Sequence, residues 1–250
     1  MMNDNGTPTL PNTGGSGGTI TMPDQDPCKI LKTTLNRNVT NTTPNTVVGL
    51  LQNLRDNLPA NNPQTTGEIG IVLLQTSNGL EANLQQETMI EDQINFQLNV
   101  GGYYPAVAHI HDDGLSVPSL ADIYFMVKAL ELNHFDENSF SFVITHYGTK
   151  YAFRIKDANA LNLWASQFFA GWDLDLPTQN NPMIKTSEDN YAEKVNKNLT
   201  TIQNEIGFVQ FLKEKNSGLE VLKAKDESFT QWEKLTYNES TNNVDRKPCN

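Results

Sequence analysis

Basic residues are scarce in this chain. It has 18 Lys and Arg against 29 Asp and Glu, a formal net charge of −11, and the 18 are spread thinly. That balance argues against binding nucleic acid through its phosphates, which needs clustered Lys and Arg. By itself it describes an ordinary solvated acidic surface. Long apolar runs are also missing: nothing approaches the ~18 consecutive apolar residues of a transmembrane helix. The opening Met1-Met2-Asn3-Asp4-Asn5 lacks the basic start and apolar stretch of a signal peptide. Cysteine occurs only twice, at Cys28 and Cys249. Two buried thiols would explain the pair, and so would a disulfide joining the ends. The disulfide would require an oxidising compartment, and spacing alone cannot bring two Cα atoms into bonding range.

What is present is organised. The 250 residues suffice for one large domain or two small ones. Residues 1–27, rich in Gly, Pro, Thr and Asn, have the composition of a flexible tether. The spacing of Val47, Val48, Leu50, Leu51, Leu54 and Leu58 predicts a helix over 45–57 with Asn45 as a candidate cap. Glu68–Leu74 reads as a buried strand ended by the turn Ser77-Asn78-Gly79, and the alternation from Ile94 to Val100 as a strand with one polar face. Tyr103–His111 is a further strand. Val107, His109 and His111 share one of its faces, and Ala106, Ala108 and Ile110 the other.

Beyond it, Pro118–Leu132 reads as a helix, Phe140–His146 and Lys150–Ile155 as two strands, and 158–170 as a helix. A loop at 173–186 leads to one long helix, capped by Ser187 and running through Leu212. Within that helix Gly207 costs roughly 1 kcal/mol against alanine. Strands at 219–223 and 229–236 close the chain before a polar tail to Cys249. The expected class is mixed α/β (α+β), with helices and strands interleaved over one core. In domain terms, a unit at 28–156 is followed by a helical and β extension at 157–250 that packs on the same core.

One stretch carries chemistry. His109 and His111, two of only four histidines, can aim their rings at one point from a strand face, and Ser119 and Asp122 follow at the start of the next helix. Two imidazoles and a carboxylate are ordinary zinc ligands, and a catalytic zinc keeps a fourth position for water. The duller readings are specific too. Ser119-Leu120-Ala121-Asp122 has the form of a capping box with Asp in place of Glu or Gln. Isolated histidines such as His134 and His146 are structural. Trp164, Phe168, Phe169, Trp172 and Trp232 read as core.

The pattern His-x-His, seven residues, Ser, two residues, Asp resembles the signature of the JAMM (JAB/MPN-type) zinc metallopeptidases. The family places a glutamate on an earlier strand. Glu68, opening Glu68-Ile69-Gly70-Ile71-Val72-Leu73, matches that place, although Glu81, Glu87 and Glu91 also lie upstream. The resemblance covers about residues 66–156. Ile110 stands where the family usually has Ser or Thr, and Asp112 where proline commonly follows; neither change removes a ligand. Asp26-Pro27-Cys28 after the tether and Pro248-Cys249 at the end also resemble tethered bacterial surface or secreted proteins carrying such a domain.

The resemblance implies a central mixed β-sheet flanked by helices, with Zn²⁺ held by His109, His111 and Asp122. It implies Glu68 as general base and then acid, and Ser119 as hydrogen-bond donor to the oxyanion, a role worth roughly 2.7–4 kcal/mol. The expected activity is hydrolysis of peptide or isopeptide bonds in a peptide or protein substrate, at an extracellular or cell-surface address. The alternative is a catalytically idle domain of the same kind, serving as a structural or adhesive module of a surface or phage-tail-like assembly.

Overall fold

The computed structural model describes residues 26–62, 67–86, 96–112, 114–171 and 182–249. Residues 1–25 of the expected tether lie outside them. Asp26 and Pro27 belong to the first helix, α1 (Pro27–Leu35), where the Asp26 side chain accepts from the Cys28 amide. Helix α2 (Val47–Asp56) follows, with Thr46 as its cap and not Asn45. The remaining elements are β1 (Ile69–Thr76), β2 (Gly79–Gln86), β3 (Tyr103–His111), α3 (Leu120–Glu131), β4 (Phe140–Thr145), β5 (Lys150–Ile155), α4 (Ala158–Phe168), α5 (Pro182–Ala192), α6 (Thr201–Glu214), β6 (Leu219–Ala224), β7 (Trp232–Asn238) and β8 (Asn243–Pro248).

All eight strands form one mixed sheet in the order β2-β1-β3-β4-β5-β6-β7-β8. Only β3 and β4 run parallel, because α3 carries the chain back between them; every other neighbour pair is antiparallel. The class is mixed α+β. Side chains alternate across each strand, and the two faces are covered by different helices. Ala106, Ala108 and Ile110 of β3 pack with Leu31, Leu35, Leu51 and Leu54 of α1 and α2. Val107 lies in the opposite core with Ile123, Met126 and Val127 of α3, Leu161 and Trp164 of α4, and Phe208 and Phe211 of α6.

Four expectations are corrected. The segment Phe96–Val100 is irregular and not a strand; Ile94 and Asn95 lie outside the described residues. Part of the expected loop at 173–186 is helical from Pro182. The single long helix is two, because Thr200 and Gln203 form a capping box that starts α6 afresh, and Ser187 sits inside α5, donating to the Phe168 carbonyl. The polar tail contains strand β8, an edge strand whose side chains are mostly exposed.

The break between α5 and α6 also accounts for Gly207. A Cβ added there would lie 1.9 Å from the Lys194 carbonyl oxygen, so the glycine is the condition for the α5–α6 connection to cross α6 this closely. Cys28 and Cys249 form a disulfide with Cα atoms 5.2 Å apart, which ties α1 to the strand β8 that pairs with β7.

Gly207→Ala tests this packing. Helix propensity alone favours alanine by roughly 1 kcal/mol, whereas forcing a methyl into a filled space costs about 1–3 kcal/mol. The expected outcome is a destabilised protein with a lower urea midpoint; a higher midpoint would contradict the close crossing.

Candidate metal centre

His109 and His111 leave β3 on the face covered by α3, and Asp122 reaches them from the first turn of that helix. Asp122 Oδ1 lies 3.0 Å from His109 Nε2, and Oδ2 lies 3.2 Å from His111 Nε2. Both histidines are buried, at 3% and 5% exposure. The helix start positions the carboxylate. Ser119 is the N-cap and Asp122 the N3 residue of a complete capping box: the Asp122 amide donates to Ser119 Oγ at 3.2 Å, and the Ser119 amide donates to Asp122 Oδ2 at 2.6 Å. Ser119 Oγ additionally donates to Oδ2 at 2.9 Å. The N3 member of the capping box is therefore also the candidate ligand, aimed by hydrogen bonds that complete the helix start.

One nitrogen of each imidazole and one carboxylate oxygen lie within 4.8 Å of one another. Metal–ligand bonds of about 2.0–2.1 Å in tetrahedral geometry put neighbouring ligand atoms about 3.3 Å apart. Asp122 comes within 3.0 Å of one ring and 3.2 Å of the other through different oxygens, so one of these separations at most belongs to a single carboxylate ligand atom. The buried group His109–His111–Asp122 could hold a metal ion. No protein-family model, curated protein or solved structure matches the chain. The chemistry of the site rests on its own atoms.

Glu68 immediately precedes β1. Gly70 pairs with His109 at the end of the antiparallel β1–β3 ladder, and Glu68 lies two residues before it in sequence. Phe96 forms a wall that sequence reading missed. Its ring meets His109 edge-on with centroids 5.7 Å apart and packs on Phe125 at 5.1 Å. A Cβ on residue 70 would lie 2.8 Å from Phe96 Cε1 and 2.9 Å from the Ala108 carbonyl oxygen, so Gly70 makes room for that wall. His109 Nδ1 is buried without a hydrogen-bond partner among the described residues, and ring packing holds this imidazole in place of the usual second acceptor.

The other two histidines stand apart from the group. His134 Nδ1 bonds the Gly102 carbonyl at 2.7 Å, and His146 is exposed. Trp164, Phe169 and Trp232 are buried core, Phe168 is a partly buried neighbour of it, and Trp172 lies outside the described residues.

The charges are strongly coupled. Burial pushes the Asp122 carboxyl up, but the two imidazoles outweigh it and hold the group well below the usual carboxylate range. Burial also pulls His111 down. The charge and hydrogen bond of Asp122 overcome that, with smaller help from Glu68 and Asp112, so His111 ends above an ordinary imidazole. The charge of Glu68 adds a small part to the rise of His111. Burial raises the Tyr191 hydroxyl well above its ordinary value, and the charge of Asp122 adds to this.

A pH dependence of the metal-free protein follows. His111, raised by folding, contributes stability fully below its unfolded value of about 6.5 and loses it as pH rises through the folded value. Asp122, depressed by folding, contributes above its unfolded value of about 3.9 and loses it as pH falls through the folded value. Both contributions are present together between about pH 4 and 6.5. His111→Gln should therefore cost most stability near pH 5.5 and distinctly less near pH 8.5, read by urea unfolding of metal-free protein. Equal costs at both would contradict a charged pair.

Proposed function

We propose that this chain is a zinc-dependent hydrolase of peptide or isopeptide bonds of the JAMM kind. The observation that carries the reading is the convergence of His109, His111 and Asp122 in one buried group, with Glu68 one residue before the strand that pairs with the histidine strand. Further support comes from the order of elements: a glutamate just before β1, His-x-His ending β3, an aspartate in the first turn of α3, then β4 and β5. Two neutral imidazoles and one carboxylate are the donor set of a catalytic zinc rather than of a magnesium or calcium site, which takes mainly oxygen ligands.

His109, His111 and Asp122 would hold the zinc, which would act as a Lewis acid and make water acidic enough to attack near neutral pH. Glu68 accepts a proton from the attacking water and returns it to the leaving amine, as general base and then acid. Ser119 orients Asp122 through the capping box, and its Oγ–H, now on Asp122 Oδ2, turns to the substrate oxygen as negative charge develops there. Phe96 limits access of bulk water beside His109. The substrate is a peptide or protein. The Cys28–Cys249 disulfide is compatible with an extracellular or cell-surface address, since such bonds persist in oxidising compartments. Among the described residues no helix is long and apolar enough to cross a membrane.

A second reading has one specific observation in its favour. Asp122 already bridges both rings and accepts from Ser119, an arrangement that satisfies its charge without an ion and suits an idle structural or adhesive module.

Digestion of a peptide library separates the two readings. The native zinc-loaded protein should cleave. Glu68→Gln should retain zinc and lose about 10²–10⁴-fold in rate, and His109→Ala should lose zinc. Equal cleavage by native protein and Glu68→Gln would reject Glu68 as the base. A stable, zinc-free native protein would favour the idle module.

A further inference from the structure

The loop between the second histidine and the aspartate sets the distance between candidate ligands on β3 and α3, and its residues 114–119 are bonded by the C-terminal extension. The Tyr191 hydroxyl of α5 donates to the Pro118 carbonyl, 73 residues away in sequence. Asn204 of α6 donates through Nδ2 to Ser116 Oγ at 3.3 Å, 88 residues away. The same Asn204 amide is fixed by the α5–α6 connection: Nδ2 donates to the Asn196 carbonyl at 3.0 Å, and Oδ1 accepts from the Asn196 amide at 3.0 Å. From the other side, Thr149 Oγ1 of the β4–β5 turn donates to the Ser116 carbonyl at 2.6 Å.

Tyr191, Asn204 and Ser116 are each no more than 4% exposed. Water cannot readily replace these bonds, and a buried partner left unpaired keeps its full desolvation penalty. None of the three belongs to the group that could hold a metal.

We infer that the α5–α6 pair is a positioning clamp: Tyr191 and Asn204 hold the loop that joins His111 to Asp122, so the extension outside the JAMM-like motif sets the geometry and affinity of the metal centre. The inference rests on the metal-binding reading of His109, His111 and Asp122. It also gives the split of the predicted long helix a purpose. The connection at 193–200 must turn back for Asn196 to meet Asn204, and Gly207 leaves the room for it. Tyr191 and Asn204 are positioning residues, acting on the ligands through Pro118 and Ser116.

The test uses the full chain with cobalt(II) as probe, since its visible absorption reports both affinity and ligand geometry. Tyr191→Phe removes only the hydroxyl, and Asn204→Ala removes the bridge. Tyr237→Phe, which loses a hydroxyl bond to Asn242, is the control. Each is compared with the native protein for urea midpoint, cobalt affinity and amide exchange of residues 114–119 in the metal-free state. The clamp predicts about tenfold weaker cobalt binding, the lower end of the range for supporting residues of metal sites, a changed cobalt band, and about tenfold faster exchange at 114–119 for Tyr191→Phe. Tyr237→Phe should change none of these.

Native affinity and native exchange in a folded Tyr191→Phe would overturn the clamp, and Asn204→Ala, if it folds, must agree. If native protein binds no cobalt, the metal reading fails by itself. The control of the metal centre then falls with it, and exchange decides only the hold on the loop: unchanged opening of 114–119 in Tyr191→Phe removes that as well.

Discussion

The site depends on where one carboxylate is planted. Asp122 is the N3 residue of α3, and the Ser119 amide and hydroxyl fix its Oδ2. A carboxylate at N3 satisfies amide donors that a helix start otherwise leaves orphaned, so Asp122 is stable there whether or not it meets anything else. What it meets are His109 and His111, brought onto the same face by the two-residue repeat of β3. Without an ion, the three groups form a buried set whose charges stabilise one another. The same three side chains offer one ligand atom each within 4.8 Å of one another, a group that could hold an ion. Both states draw on one geometry, and the second adds chemistry to a scaffold already satisfied.

That geometry needs support from both sides of the sheet strand that carries the histidines. On the β1 side, Gly70 lets Phe96 close over His109. On the helix side, the 114–119 loop is pinned by residues from the turn after β4 and from α5 and α6. The sheet itself extends from β1–β5 into β6–β8 without interruption. The extension shares the core containing Val107 and Ile123, so a change in α6 is a change in the packing behind the site.

Much of this was legible in the sequence where the physics is local. The faces of β3 follow from alternation. The Ser119-to-Asp122 cap follows from a four-residue pattern, and the strands at 140 and 150 from short apolar runs around Gly148. What was not legible depends on competition or distance. The apolar spacing of three and four from Tyr191 to Leu212 reads as one helix, but the Thr200–Gln203 box and the Asn196–Asn204 bonds end one helix and begin another. Strand β8 is hidden because an edge strand can be polar on most of its surface. Phe96 alternates like a strand residue yet serves as a wall from irregular backbone. The disulfide is decided by the register of β8 against β7, which two cysteines in a sequence cannot reveal.

The central claim is that His109, His111 and Asp122 bind one metal ion together. Zinc X-ray absorption on native protein, dialysed after exposure to one equivalent of the ion, measures it most directly. The account predicts a stoichiometric ion with two imidazole nitrogens and carboxylate oxygen in its inner shell at about 2.0–2.2 Å. Zinc lost on dialysis, or retained in a shell without imidazole, would contradict it.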